Sequence, residues 1–204
     1  MLNCTLCLLQ SESNTMSNTD LNYAVEMLKQ GHVIAYPTEA VWGLGCDPNQ
    51  EQAFQKILNL KKRPIEKGVI LLAEDIERIR HLLDPLEKSI QAQIIASWQP
   101  LKTQQRATTW LLPVSDAIPK WIYGQHDRVA IRVTQHPLCQ NLCRAFDGLI
   151  VSTSANPAGL TPAKNAQQVR DYFQDQLYIL DGALGQSPEP SRILDAVTGA
   201  IIRA

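Results

Sequence analysis

Residues 36–45 read YPTEAVWGLG, directly after His32-Val33-Ile34-Ala35, an apolar run with the character of a buried strand. Pro37 ends that run, because proline has no N–H to give to a sheet ladder. Behind it stand Thr38, Glu39 and two glycines, Gly43 and Gly45. A hydroxyl, a carboxylate and bare backbone at a strand end describe either an ordinary turn or a loop that faces a ligand. The flanking sequence has to choose between them.

Outward from this stretch the periodicity alternates between helix and strand. Upstream, Leu21, Ala24, Val25 and Leu28 recur at helical spacing, with Thr19 or Asp20 available as cap and Gly31 as stop. Downstream, Asn49 with Gln52 resembles a capping box opening a helix whose apolar face is Phe54, Ile57 and Leu58, and which must end before Pro64. GVILLA at 68–73 is a further buried strand. Residues 75–98 give two helical segments divided near Pro85, the second marked by Leu86, Ile90, Ile94 and Trp98. ATTWLL, RVAIRV ending at Val133 and LIVST ending at Thr153 are strand candidates, the last two separated by a helix from Pro137 to Gly148 with Leu138, Leu142 and Phe146 inward. Asn165, with Gln168 behind it, opens a final helix, and the chain finishes as LYIL, a Gly/Pro/Ser loop and the hairpin RILDAV-TG-AIIRA. The alternation predicts an α/β fold: a single domain over 16–204 with a twisted, mixed, open sheet flanked by helices. Residues 1–15 show no sustained period and precede Met16, so they read as a tail or a misplaced start.

Composition narrows the function. With 204 residues and 45% hydrophobic content the chain can bury a substantial core, and net charge -1 lacks the basic balance of a protein that mainly grips phosphate backbones. No apolar stretch approaches the ~18 residues of a membrane helix and Met1-Leu2-Asn3 lacks a basic signal start, so the expectation is a cytoplasmic protein with no membrane partner. Five cysteines is an odd count, and Cys4-x-x-Cys7 has no second pair at zinc spacing; reduced core thiols are expected, and no metal ligands.

Several loop chemistries fail. Gly43-Leu44-Gly45 is no dinucleotide fingerprint, since position 48 is Pro, and no G-x-x-x-x-G-K-[ST] occurs. Two other stretches carry chemistry. Lys61-Lys62-Arg63-Pro64-Ile65-Glu66-Lys67 places four cations at a helix end, and Ser152-Thr153-Ser154-Ala155-Asn156 leaves a buried strand where open α/β sheets build ligand sites. Alone, the first complements a helix dipole and the second is a turn cluster. Together, with no Cys-His or Ser-His-Asp arrangement, they point to stabilisation of a polyanion rather than to nucleophilic catalysis.

YPTEAVWGLG, Lys-x-Arg-Pro at 61–64, VAIRVTQHP at 129–137, STSAN at 152–156 and PSRILD at 190–195 occur in one order, and together they resemble the YrdC/TsaC family of threonylcarbamoyl-AMP synthases from about Asp20 to the C-terminus. The resemblance implies a twisted α/β sheet with a charged concave face that joins L-threonine, bicarbonate and ATP into threonylcarbamoyl-AMP and releases pyrophosphate. It further implies that the product serves threonylcarbamoylation of adenosine beside the anticodon in tRNAs reading ANN codons, with the tRNA-modifying transferase machinery as downstream acceptor and transient tRNA contact. By the same resemblance Lys61, Arg63, Ser154 and Asn156 are the catalytic tetrad, and Thr38, Arg132, Ser152 and Ser191 address the threonine, Arg132 through its carboxylate. ATP contacts are Lys61, Arg63, Lys67, Ser154, Asn156 and Arg203, with Mg2+ carried on the triphosphate and no protein carboxylate cage for it. Such a site suits a transfer in which the protein mainly aligns two anions and stabilises charge.

Glu39 stays open between orienting a lysine or the substrate amine and bonding to the turn's own backbone. Thr38 supplies a polar contact, and Gly43 with Gly45 lets the backbone turn close to a ligand. The family's W-P-G-P-x-T is here Trp98 to Thr109, longer and without the glycine, so Lys102 or Arg106 either replaces backbone contacts to ATP or stands in a solvated loop. Two competing functions are weighed. Carbamoyl-adenylate formation in hydrogenase maturation uses a similar domain in a larger chain with zinc motifs, absent from this one. An RNA-binding module with a basic concave face and no chemistry is disfavoured by the net charge and by 6% aromatic content.

Overall fold

The structure, a computed structural model, describes residues 18–62, 69–99 and 106–204. The expectation for residues 1–15 and those for Arg63, Lys67 and Lys102 lie outside them. Helix α1 (Asn18–Lys29) ends at Gly31, whose φ of 76° is the left-handed turn a stop glycine supplies. It already includes Thr19 and Asp20, so the cap expected there is not one. Then come β1 (Ile34–Pro37), β2 (Trp42–Gly45), α2 (Glu51–Lys61), β3 (Ile70–Ala73), a 3-10 helix (Glu77–Leu82) and α3 (Lys88–Ser97). The second half contains β4 (Thr108–Pro113), α4 (Lys120–Tyr123), β5 (Arg128–Val133), α5 (Pro137–Phe146), β6 (Ile150–Ser154), α6 (Ala166–Phe173), β7 (Tyr178–Ile179), β8 (Arg192–Asp195) and β9 (Ile201–Arg203).

The nine strands form one mixed sheet in the order β7-β1-β2-β6-β3-β5-β4-β8-β9. YPTEAVWGLG is therefore a hairpin: β1 pairs antiparallel with β2 through Tyr36 opposite Gly43 and Pro37 opposite Trp42, and the turn is confined to Thr38–Val41. This corrects the expectation that the two glycines belong to the turn; they lie inside a central strand. The reason at Gly45 is steric. A Cβ there would come 2.6 Å from the Val151 carbonyl oxygen and 2.7 Å from the Tyr36 ring, whose hydroxyl donates to that carbonyl at 3.3 Å. Gly45→Ala is expected to lower the unfolding free energy by about 1–3 kcal/mol, the cost of overpacking a tight core. An unchanged urea midpoint would show that both the Tyr36 ring and the Val151 carbonyl can move clear.

Both faces of the central strands are covered, which explains their continuous apolar runs. Ile34, Tyr36, Leu72 and Ile150 point toward α1 and α5, where Leu28, Leu138 and Leu142 meet them. Val33, Ala35, Leu71, Ala73 and Val151 point the other way, into the larger cluster with Phe54, Ile57, Ile94 and Phe173. Among the described cysteines, Cys46, Cys139 and Cys143 are free and buried, and burial pushes the Cys143 thiol up to about 12.

One helix cap came as expected and another did not. Asn165 accepts from the Gln168 N–H at 2.8 Å and opens α6. Asn49 and Gln52 form no capping box; α2 starts after Gln50, whose amide donates to the Lys29 carbonyl (3.0 Å) and to Asp47 (3.1 Å), tying the helix start to the end of α1. Among the described residues no helix is long and apolar enough to cross a membrane.

Candidate active site

The sheet face that carries Ile34, Tyr36, Leu72 and Ile150 under α1 and α5 continues beyond those helices as an open cleft of about 470 Å³, within the roughly 300–1,000 Å³ of small-molecule sites. Register places its wall. Ser152 lies opposite Ile70, Ile70 opposite Ala130, Ala130 opposite Leu111, and Leu111 opposite Asp195, so alternate residues of five strands share one face. On that face β6 shows Ser152 and Ser154, β5 shows Arg128 and Arg132, and β9 shows Arg203. Thr38, Glu39 and Ser191 close the rim.

Three groups of side chains organise the wall. The first joins the end of α2 to the end of β6. Lys61 is 3% exposed, and its ammonium donates to the Ser154 carbonyl, to the Asn156 carbonyl at 2.9 Å and to Asn156 Oδ1 at 3.3 Å. Ser154 Oγ donates to the same Oδ1 at 2.6 Å, and the Lys61 carbonyl accepts from Ala158 N at 2.7 Å. Lys61 is the last residue of α2, and Lys62 behind it takes the left-handed C-cap at φ 50°.

The second group joins the hairpin turn to the end of β5. Arg132 Nη2 stands 3.4 Å from Glu39 Oε2, both residues buried. Glu39 Oε1 accepts from Thr134 Oγ1 at 2.7 Å and from Gln135 N at 3.3 Å. Burial alone would raise the Glu39 carboxyl, but the Arg132 guanidinium and the Thr134 hydroxyl override it, so its pKa lies below the ordinary carboxylate value. Glu39 Oε2 and Arg132 Nε are buried without a hydrogen-bond partner in the described structure. His136 follows on the same segment: its Nε2 meets the Ala183 carbonyl at 3.0 Å, and burial pushes its pKa down, so the ring is neutral at pH 7. Thr38 Oγ1 donates to the Val41 carbonyl at 2.7 Å, bracing the turn.

The third group lies across β4, β8 and β9. Arg203 donates from Nε (3.0 Å) and Nη2 (2.6 Å) to the Ser191 carbonyl, while the Ser191 hydroxyl meets Thr109 Oγ1 at 2.8 Å. Burial, with Arg106 and Arg132 nearby, lowers the Arg203 pKa, the sign of a site that favours an arriving anion. Arg106 is not left free in solvent: its guanidinium bonds to the Pro190 carbonyl and to Glu189 at 2.9 Å, docked on the segment before Ser191.

Thr38, Arg132, Ser152, Ser154, Ser191 and Arg203 thus line one cleft, and Lys61 with Asn156 stands directly behind Ser154. Arg63 and Lys67 are outside the described residues. Sequence reasoning left Glu39 undecided and passed over Thr134, Gln135 and His136, although VAIRVTQHP contains all three of the latter; the available signal was a carboxylate amid apolar sequence, which demands a buried cation.

A family model of the Sua5/YciO/YrdC type, described as "Telomere recombination", matches residues 26–204. A protein of Acinetobacter baylyi named threonylcarbamoyl-AMP synthase is 60% identical over 189 residues, 92% of this chain and 98% of that one. Among solved structures, P. abyssi Sua5 complexed with L-threonine superposes with a TM-score of 0.74 at 27% identity, over 86% of this chain and 50% of that one. E. coli YciO, at 23% identity and a TM-score of 0.75 over 90% and 87%, shares the fold. The match covers the sheet, the cleft and all three side-chain groups, and this chain belongs to the Sua5/YciO/YrdC family.

Proposed function

We infer that this chain is a threonylcarbamoyl-AMP synthase, a nucleotidyltransferase that builds threonylcarbamoyl-adenylate from L-threonine, bicarbonate and ATP. The observation that carries the reading is the cleft wall itself: hydroxyls and guanidinium groups on one sheet face, in a chain whose 60%-identical relative bears that enzyme's name. In the reaction the threonine amine bonds to the carbon of bicarbonate and water leaves. A carbamate oxygen then attacks the α-phosphorus of ATP, and pyrophosphate departs with the bonding electron pair.

We assign the roles from the family resemblance, and the residues' positions around the cleft support them. Arg132 binds the threonine carboxylate, with Thr38, Ser152 and Ser191 supplying hydroxyls around it. Lys61 holds the loop that presents Ser154 and Asn156 to the nucleotide, and Arg203 meets its phosphates; Arg63 and Lys67 are assigned to the phosphates from the sequence. Magnesium enters with ATP as part of that substrate. Among the described residues no cluster of three or more His, Cys, Asp or Glu is placed to hold a metal, and Asp195, on the cleft wall, accepts from Val197 N at 2.8 Å and Thr198 N at 2.9 Å, where it caps the β8–β9 turn. The product passes to the tRNA-modifying transferase, and the cytoplasm is the matching location. No observation on the cleft favours the RNA-binding alternative.

Pyrophosphate release from MgATP, with threonine and bicarbonate each supplied or omitted, tests the reading. Release is expected only with both; release that ignores threonine overturns it.

A further inference from the structure

Glu39 has more attachments than a turn residue needs. Its side chain reaches the far end of β5, where Oε1 takes the Thr134 hydroxyl (2.7 Å) and Gln135 N–H (3.3 Å). Its carbonyl accepts from Ser187 N at 3.0 Å, and the neighbouring Thr38 carbonyl from Gly185 N at 2.9 Å, so the 182–187 segment straps the turn from outside. The strap lies so close that a Cβ on Gly185 would stand 2.8 Å from both the Glu39 Cα and its carbonyl oxygen. His136 pins the same strap at Ala183. With backbone and Oε1 held, Oε2 has one direction left, toward Arg132 Nη2 at 3.4 Å. With Nη2 turned to Glu39, the Arg132 guanidinium keeps further N–H groups, and the residue lines the cleft.

We propose that Glu39 is a positioning residue for the amino-acid substrate, holding the Arg132 guanidinium against the cleft wall so that its remaining N–H groups meet the substrate's α-carboxylate. This rests on the synthase reading above. A guanidinium pre-aimed by a fixed carboxylate loses little freedom on binding, whereas an unheld arginine must be ordered by the ligand. The depressed Glu39 pKa agrees, since an aligning carboxylate has to stay ionised at neutral pH. The effect belongs to threonine binding, not to ATP.

Steady-state kinetics of Glu39→Gln test it. The amide keeps the shape and an oxygen for Thr134 but removes the charge facing Arg132. Expected is a rise of about tenfold or more in KM for L-threonine, with KM for ATP and kcat within about threefold. On an Arg132→Ala background the same change should add less than about twofold to the threonine KM, because the residue it acts through is gone. Thr134→Val, which removes the hydroxyl that anchors Oε1, should raise the threonine KM by about threefold, and it decides the matter if Glu39→Gln does not fold. A wild-type threonine KM in the folded variant, an equal rise for ATP, or full additivity with Arg132→Ala overturns the proposal. Failure of the synthase reading would show earlier and separately, in wild-type chain that releases no threonine-dependent pyrophosphate.

Discussion

Arg132→Ala is expected to cost about 3–5 kcal/mol of stability, because it leaves the buried Glu39 carboxylate without its cation. Activity at low threonine should fall by roughly ten- to a hundred-fold, the loss of a charge-assisted bond worth about 1.5–3 kcal/mol. A pH series separates the pair from simple loss of packing. In the wild type the Glu39 pKa is below the ordinary value of 4.5, so the pair's contribution is complete above that value and is lost as pH falls through the lower, folded one. In the variant burial is left as the main influence, which raises the folded pKa above the unfolded one and penalises the charged carboxylate at neutral pH. Acid relieves that penalty. The stability gap between the two proteins should therefore be widest near pH 7 and should narrow toward about pH 4, as read from urea midpoints. A gap that stays constant with pH would mean that Arg132 does not compensate Glu39.

Lys61→Ala should damage stability and rate together. The ammonium is buried and donates to the Ser154 and Asn156 carbonyls and to Asn156 Oδ1; deleting it strands acceptors at about 1–3 kcal/mol each. The released 154–158 loop no longer holds Ser154 and Asn156 for the nucleotide, and pyrophosphate release is expected to drop about a hundred-fold or more, the scale of losing one pre-aimed polar group. Lys61→Arg is expected to rescue neither property, since a planar guanidinium does not fit a pocket shaped around a compact ammonium. Ser154→Ala gives the contrast: it removes one hydroxyl bond of 2.6 Å, costs about 1 kcal/mol of stability, and slows the reaction through the hydroxyl alone. If Lys61→Ala melts like the wild type and is merely slow, the lysine serves the nucleotide directly rather than through the loop.

Much of this was legible in the residues. Several local signals were followed by the chain: the 3.6-residue periods of α1 and α5, the Asn165 cap three residues before its Gln168 N–H, and the β8–β9 hairpin over its Thr-Gly turn. Colinear motifs also carried the family and the synthase reading, because loops that bind the same groups need the same donors in the same order. Short-range signals failed where a distant partner made a better offer. The capping box at Asn49 and Gln52 was displaced by Gln50 bonding back to α1, and β2 is a strand despite two glycines because β1 and β6 pair with it from both sides.

By itself, then, the sequence determined most of the helices and strands, that the two alternate, and which residue types the site contains, since these depend largely on neighbours a few positions away; β2 and α4 were not read from it. Only the tertiary structure decided which sheet face stays open beyond α1 and α5, that Lys61 turns inward to hold Ser154 and Asn156, and that Glu39 answers to Arg132 and Thr134 as well as to its own backbone. Those choices bring together groups some ninety residues apart. A buried charge is stable only beside its counter-charge and its donors, and their meeting place is set by strand order and register, which no local pattern encodes.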